Sequence, residues 1–177
     1  MTTVLAIKHD KGVTFAADTQ ATGEGGDIYR VVKVRQNGNF IIAGAGDCAP
    51  LDIALHLWKP PVCTVNDRED LLHFMIVKAI PSLKKIFKDN DYEYDPSPDA
   101  KQDGFTLILA VNGEIFVVEK EFDVSQPQFN VAGVGSGSPY AIGAIRTGAS
   151  LQDALDVAAE NDANSSAPFT IIEQLRK

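Results

Sequence analysis

Residue 2 of this chain is a threonine directly behind a methionine, and it runs at once into the apolar stretch Val4-Leu5-Ala6-Ile7. With Met1 removed, Thr2 would carry a hydroxyl and a free α-amine on one residue, a nucleophile with its own base. Asp18 is the lone carboxylate ending a second apolar run, Val13 to Ala17. Lys33 interrupts a third, Val31-Val32-Lys33-Val34. A lysine drawn into such surroundings needs an acidic partner, and Asp18 suits that part. The plainer alternative is a solvent-facing Lys33, on the strand face shared with Val31 and Arg35. Gly44 and Gly46 stand where a strand gives way to a helix. Backbone N–H groups there favour developing negative charge, as an oxyanion hole requires, although simple turn chemistry would also use these glycines.

Other chemistries find less support. His9, His56 and His73 lie on separate elements, and no pair has zinc-ligand spacing with cysteine or carboxylate. Gly133-Val134-Gly135-Ser136-Gly137-Ser138 joins a strand to a helix but lacks the third glycine of a dinucleotide loop. Val134 and Ser138 flank Ser136 where a nucleophile elbow has glycines. No metal and no cofactor is expected. The net charge of −8 opposes a nucleic-acid surface. Cys48 and Cys63 form no disulfide framework, and no apolar run nears the roughly 20 residues of a membrane span. No signal peptide is recognised. A soluble, cytoplasmic protein is the expectation.

The elements that must position these residues follow from apolar periodicity and turn chemistry. The 177 residues suit one domain. Hairpins are expected from Val4–Ile7 and Val13–Ala17, from Tyr29–Val34 and Phe40–Ala43 around Asn37-Gly38, and from Phe105–Val111 and Glu114–Glu119 around Asn112-Gly113. Helices are expected over about Cys48–Trp58, Arg68–Asp89, Tyr140–Arg146 and Leu151–Asn161, with Pro81 kinking or breaking the second. Ser138 is read as the N-cap of the third. Asn90 to Asp103 reads as an acidic exposed loop, Phe129–Val134 and Phe169–Leu175 as strands, and Asp162 to Ser166 as a polar loop. Paired helices alternating with hairpins predict an α+β fold, two antiparallel sheets face to face with helices outside them.

Taken together these residues resemble the proteasome β-subunit family, including the bacterial HslV peptidases. The resemblance is carried by the Thr-Thr start, Ala16-Ala17-Asp18-Thr19-Gln20-Ala21-Thr22, Lys33-Val34-Arg35, Ile42-Ala43-Gly44, Gly135-Ser136-Gly137-Ser138-Pro139-Tyr140-Ala141 and the Asp162-x-x-Ser165 spacing. It implies the four-layer αββα sandwich of N-terminal nucleophile hydrolases and a threonine endopeptidase. Thr2 would be the nucleophile, and Lys33 and Asp18 a charge pair tuning its amine. Gly44 would be the oxyanion donor, and Ser136, Asp162 and Ser165 would orient the amine and its water. Ala21, Val31 and Ala45 would line a roomy, uncharged pocket. Ala45 alone separates Gly44 from Gly46-Asp47, where the family usually has two residues. The resemblance also implies self-association into stacked rings, unfolded polypeptide as substrate and an ATP-dependent unfoldase as partner. Two other readings are a non-catalytic ring or shell subunit retaining Met1 and a non-peptidase amidase of the same fold.

Overall fold

A computed structural model describes residues 2–23, 25–92 and 104–176. Its first hairpin pairs β1 (Val4–His9) with β2 (Gly12–Ala17) across a two-residue turn, longer in strand and tighter in loop than expected. β10 (Val131–Val134) adds to the other edge of β1, and β11 (Thr170–Leu175) to the other edge of β2. The result is a four-stranded antiparallel sheet in the order β10-β1-β2-β11. The second sheet has five strands, β5 (Val34–Asn37), β6 (Phe40–Gly46), β7 (Phe105–Val111), β8 (Glu114–Glu119) and β9 (Val124–Ser125), in sequence order. The β7–β8 turn forms as read, with Asn112 and Gly113 both at positive φ, the backbone that favours Asn-Gly in tight hairpins.

The expected strand Tyr29–Val34 is not continuous. Residues 28–30 form β4 (Ile28–Arg30), which pairs with β3 (Gln20–Thr22) in a separate two-stranded ribbon. The chain then leaves strand geometry over residues 31–33 before β5 begins. The Val31 N–H bonds the Thr19 carbonyl at 2.9 Å. That break frees Lys33 from the alternation of a strand and lets it turn inward. It is 5% exposed, and the solvent-facing alternative is thereby overturned.

Helices cover the outer faces. α1 (Cys48–Asp52) runs into a π-helical turn (Ile53–Leu57). α2 (Leu71–Phe74), a second π turn (Met75–Ala79) and α3 (Ile80–Lys88) follow one another without a break. Pro81 therefore neither ends this helix nor splits it. The wider turn just before it relieves the clash that a proline ring makes with the preceding turn. On the other side lie α4 (Ser138–Arg146), capped by Gly137 rather than Ser138, and α5 (Leu151–Asn161). Of the acidic loop, residues 93–103 lie outside the described residues.

Three apolar layers hold the sandwich. Ile41 and Ala43 face the space between the sheets with Val4, Ala6, Phe15 and Ile108. Phe40 and Ile42 face the α1–α3 side with Trp58, Phe74 and Phe87. Burial on both faces is why Phe40 to Ala43 reads as an unbroken apolar run. Leu5 and Ala16 meet α4 and α5 through Ala141, Leu155 and Ala158. The αββα order expected from the element sequence is the observed one.

Candidate active site

The site forms at one end of the sandwich, where β1 begins and β2 and β6 end. Thr2 and Thr3 extend β1: the Asp18 N–H donates to the Thr3 carbonyl at 3.0 Å, and the Thr3 N–H to Asp18 Oδ1 at 2.8 Å. The Gly137 N–H donates to the Thr2 carbonyl at 3.2 Å. The Thr2–Thr3 peptide is thus held from both sides, and Thr2 is 4% exposed. Strand alternation turns Thr2 to the inter-sheet side with Val4 and Ala6, and Thr3 to the helix side with Leu5.

Asp18 and Lys33 meet as a buried pair, Nζ to Oδ1 at 2.8 Å. Lys33 also donates to the Gln20 carbonyl, and the Gln20 N–H donates to Asp18 Oδ2 at 2.9 Å. Asp18 thereby accepts three hydrogen bonds while fully buried. Burial pulls the Lys33 ammonium below the usual lysine range, although its bond to Asp18 and the nearby charges of Asp18, Cys48 and Asp162 resist that shift. Lys33 gives up its proton more readily than an exposed lysine does.

A second cluster comes from the loop after α5 and the turn before α4. Ser136 Oγ and Ser165 Oγ both donate to Asp162 Oδ2, at 2.8 and 2.6 Å. Thr3 Oγ1 lies 2.7 Å from Ser165 Oγ. Gln20 joins the two clusters, its Nε2 donating to the Ala163 carbonyl at 3.1 Å. Burial alone would raise the Asp162 carboxyl, but bonds from Ser165, Ser136 and Asn164 outweigh it and hold the group below the ordinary aspartate range. The unfolded chain then binds the extra proton first, so stability contributed here is present above the ordinary aspartate pKa and is lost as pH falls through the folded value. Acid titration of unfolding free energy is expected to fall more steeply for the native chain than for Asp162→Asn. Parallel curves would remove Asp162 as the source.

Gly44 does not serve as expected. Its N–H donates to the Lys33 carbonyl at 3.3 Å inside the sheet. The Asp47 N–H points to the other side, to the Gly104 carbonyl at 3.2 Å, so alternation turns the Gly46 N–H to the Lys33 side, one pair past the start of β5. Gly46 therefore lies beyond the last residue that β5 pairs, while the Gly44 N–H is engaged by Lys33. A side chain at Gly44 would strike Leu51 on the helix side, so the adjacent Ala45 faces the inter-sheet side, as Thr2 does. Ala21 sits half-buried on the β3–β4 ribbon, and Val31, also half-buried, follows it.

Three residues outside the expected set prove structural to the site: Thr3, Gln20 and Gly137. For Thr3 and Gln20, a polar residue close beside an apolar strand was the available signal. A Cβ at Gly137 would lie 1.9 Å from Thr3 Oγ1, 2.8 Å from Ser165 Oγ and 3.0 Å from Asp162 Oδ2. Its φ of −85° suits any residue, so the constraint is purely one of space. Gly137→Ala is expected to lower stability by about 1–3 kcal/mol through overpacking. Gly143→Ala, in α4 with nothing within 4 Å of the new methyl, should instead gain about 0.5–1 kcal/mol. Denaturant melts of both variants check this; a neutral Gly137→Ala would mean that the polar cluster yields easily.

A cavity of about 60 Å³ lies at the far end of the sandwich, lined by Gly38, Asn39, Cys63, Asn112 and Gln174 near the hairpin turns, away from Thr2. No group of metal-ligating side chains occurs among the described residues, and no helix among them is long and apolar enough to cross a membrane.

Comparison with known proteins agrees with this architecture. No family model matches the chain. The ATP-dependent protease subunit HslV of Desulfovibrio desulfuricans is 29% identical over 149 residues, covering 82% of this chain and 76% of that protein. The same subunit of Syntrophobacter fumaroxidans is 28% identical, covering 97% and 95%. Among solved structures, Thiobacillus denitrificans BPH in complex with epoxomicin superposes with a TM-score of 0.71 at 20% identity over 99% of both chains. HslV from Trypanosoma brucei does so with 0.69 at 18% identity, over 98% and 99%. The fold is that of the N-terminal nucleophile hydrolases. The resemblance to the HslV and proteasome β-subunit family extends over most of the chain.

Proposed function

We propose that this protein is a threonine-type endopeptidase that uses Thr2 after removal of Met1. The observation carrying this reading is the Thr2–Thr3 peptide pinned between Asp18 and Gly137, beside the buried Lys33–Asp18 pair. Thr2 Oγ attacks a peptide carbonyl while the Thr2 α-amine, directly or through water, takes the hydroxyl proton. An α-amine titrates near 7.7–8.0 when unperturbed, so a usable free-base fraction exists at neutral pH. Positive charge on Lys33 favours the neutral amine, and Asp18 balances that charge. Ser136, Asp162 and Ser165 orient the amine and its water. The Gly46 N–H takes the oxyanion role first read for Gly44. Collapse of the tetrahedral intermediate breaks the C–N bond, the Thr2 ammonium returns its proton to the departing amine, and water then hydrolyses the acyl-enzyme ester and restores the Thr2 hydroxyl.

Ala21, Val31 and Ala45 form the pocket wall in this reading. Stacked rings enclose the site, unfolded polypeptide is the substrate, and an ATP-driven unfoldase supplies it in the cytoplasm. The test is an intact-mass measurement on the purified protein before and after a threonine-directed covalent inhibitor. Loss of one methionine and a single adduct mapped to Thr2 are expected. A chain lacking Met1 that takes up no adduct while cleaving peptides would overturn the assignment of Thr2.

A further inference from the structure

Thr3, like Gln20, is bonded to both polar clusters, and it is covalently next to Thr2. Its N–H meets Asp18 Oδ1, the oxygen that also accepts from Lys33. Its hydroxyl meets Ser165, and Ser165 meets Asp162. The direction of this chain follows from proton counting. An ionised carboxylate only accepts, so the single proton of Ser165 Oγ is committed to Asp162 Oδ2. Ser165 Oγ can then only accept from Thr3, and Thr3 is the donor. Both side chains are buried, at 0% and 3% exposure, so water does not compete for these bonds. Gly137 closes the cluster from the far side, with no room for even a methyl group.

We infer that Thr3 is a positioning residue for the Thr2 nucleophile, its hydroxyl heading a one-way chain through Ser165 to Asp162 that fixes the Thr2 backbone and amine. This rests on the threonine-peptidase reading and assigns it a member outside the groups first expected. A threonine with its hydroxyl committed to Ser165 and its N–H to Asp18 has its side-chain rotamer held, and with the Gly137 bond the plane of the Thr2–Thr3 peptide, from which the Thr2 amine and hydroxyl project, is held too. Displacing a reacting group by about 1 Å is enough to cost on the order of a hundredfold in rate.

The experiment compares Thr3→Val, which keeps shape and loses the donor, with Thr3→Ser, which keeps the donor, on chains shown by mass to lack Met1. Steady-state peptide hydrolysis and melting curves are read for both. Thr3→Val should lower kcat about a hundredfold with KM within about twofold, and Thr3→Ser should stay within about threefold of the native rate. Introduced into Ser165→Ala, Thr3→Val should cost little more, because the chain is already cut. Should valine prevent folding, Thr3→Ala reads the same loss. A native kcat in Thr3→Val, or full additivity with Ser165→Ala, overturns the positioning role while the Thr2 assignment stands. A native chain that neither hydrolyses peptide nor takes up inhibitor overturns both.

Discussion

Thr2→Ala is expected to reduce peptide hydrolysis by about four orders of magnitude or to the detection limit, because it removes the oxygen that forms the acyl-enzyme in the proposed mechanism. The fold should survive the change. Thr2 is held by its backbone carbonyl to Gly137 and through the Thr3 N–H to Asp18, and neither bond uses the Thr2 side chain. Melting of the variant should therefore stay close to native while inhibitor labelling disappears. Thr2→Ser, which retains a hydroxyl, should keep measurable turnover. Hydrolysis unchanged in Thr2→Ala would defeat the peptidase reading, whatever the fold.

The second large effect concerns Lys33. Lys33→Met removes the ammonium from a fully buried carboxylate, leaving Asp18 with the Thr3 and Gln20 N–H groups as donors. Breaking a buried pair from one side costs about 3–5 kcal/mol, and the two remaining donors place this case at the low end. Activity should fall as well, since the proposed mechanism relies on that charge to favour the neutral Thr2 amine. Lys33→Arg should not restore it, because a planar guanidinium does not replace a compact ammonium bonded to both Asp18 and the Gln20 carbonyl. In the double variant with Asp18→Asn, the loss of stability should be smaller than the sum of the two single losses by about 1–3 kcal/mol while activity stays low. Strict additivity in chemical denaturation would show that the two side chains do not depend on each other.

Much of the architecture was legible from local chemistry. The Asn112-Gly113 turn, the bounds of α5 and the pairing of β1 with β2 as a hairpin depend on residues a few places apart, and they form where pattern and turn type put them. The short strands β3 and β9 were not legible. Three and two residues long, they carry no periodicity of their own and exist because a neighbour offers a ladder. Lys33 illustrates the limit from the other side. Its sequence neighbours are all valines, which argues for a continuous strand, yet the chain breaks there because the Val31 N–H finds Thr19 and the lysine finds Asp18. Local β propensity loses to a buried ion pair.

By itself, the order of residues determined the antiparallel sandwich, the Thr-Thr start and the residue types that gather at its end, through periodicity and turn chemistry that act over short spans. Tertiary structure alone decided that the Gly44 N–H is engaged by the Lys33 carbonyl, because that depends on where β5 starts beside β6. It alone joined Thr3 to Ser165, 162 residues apart in the chain. Hydrogen-bond partners so distant are chosen by packing of the two sheets and α5, and no local pattern records them.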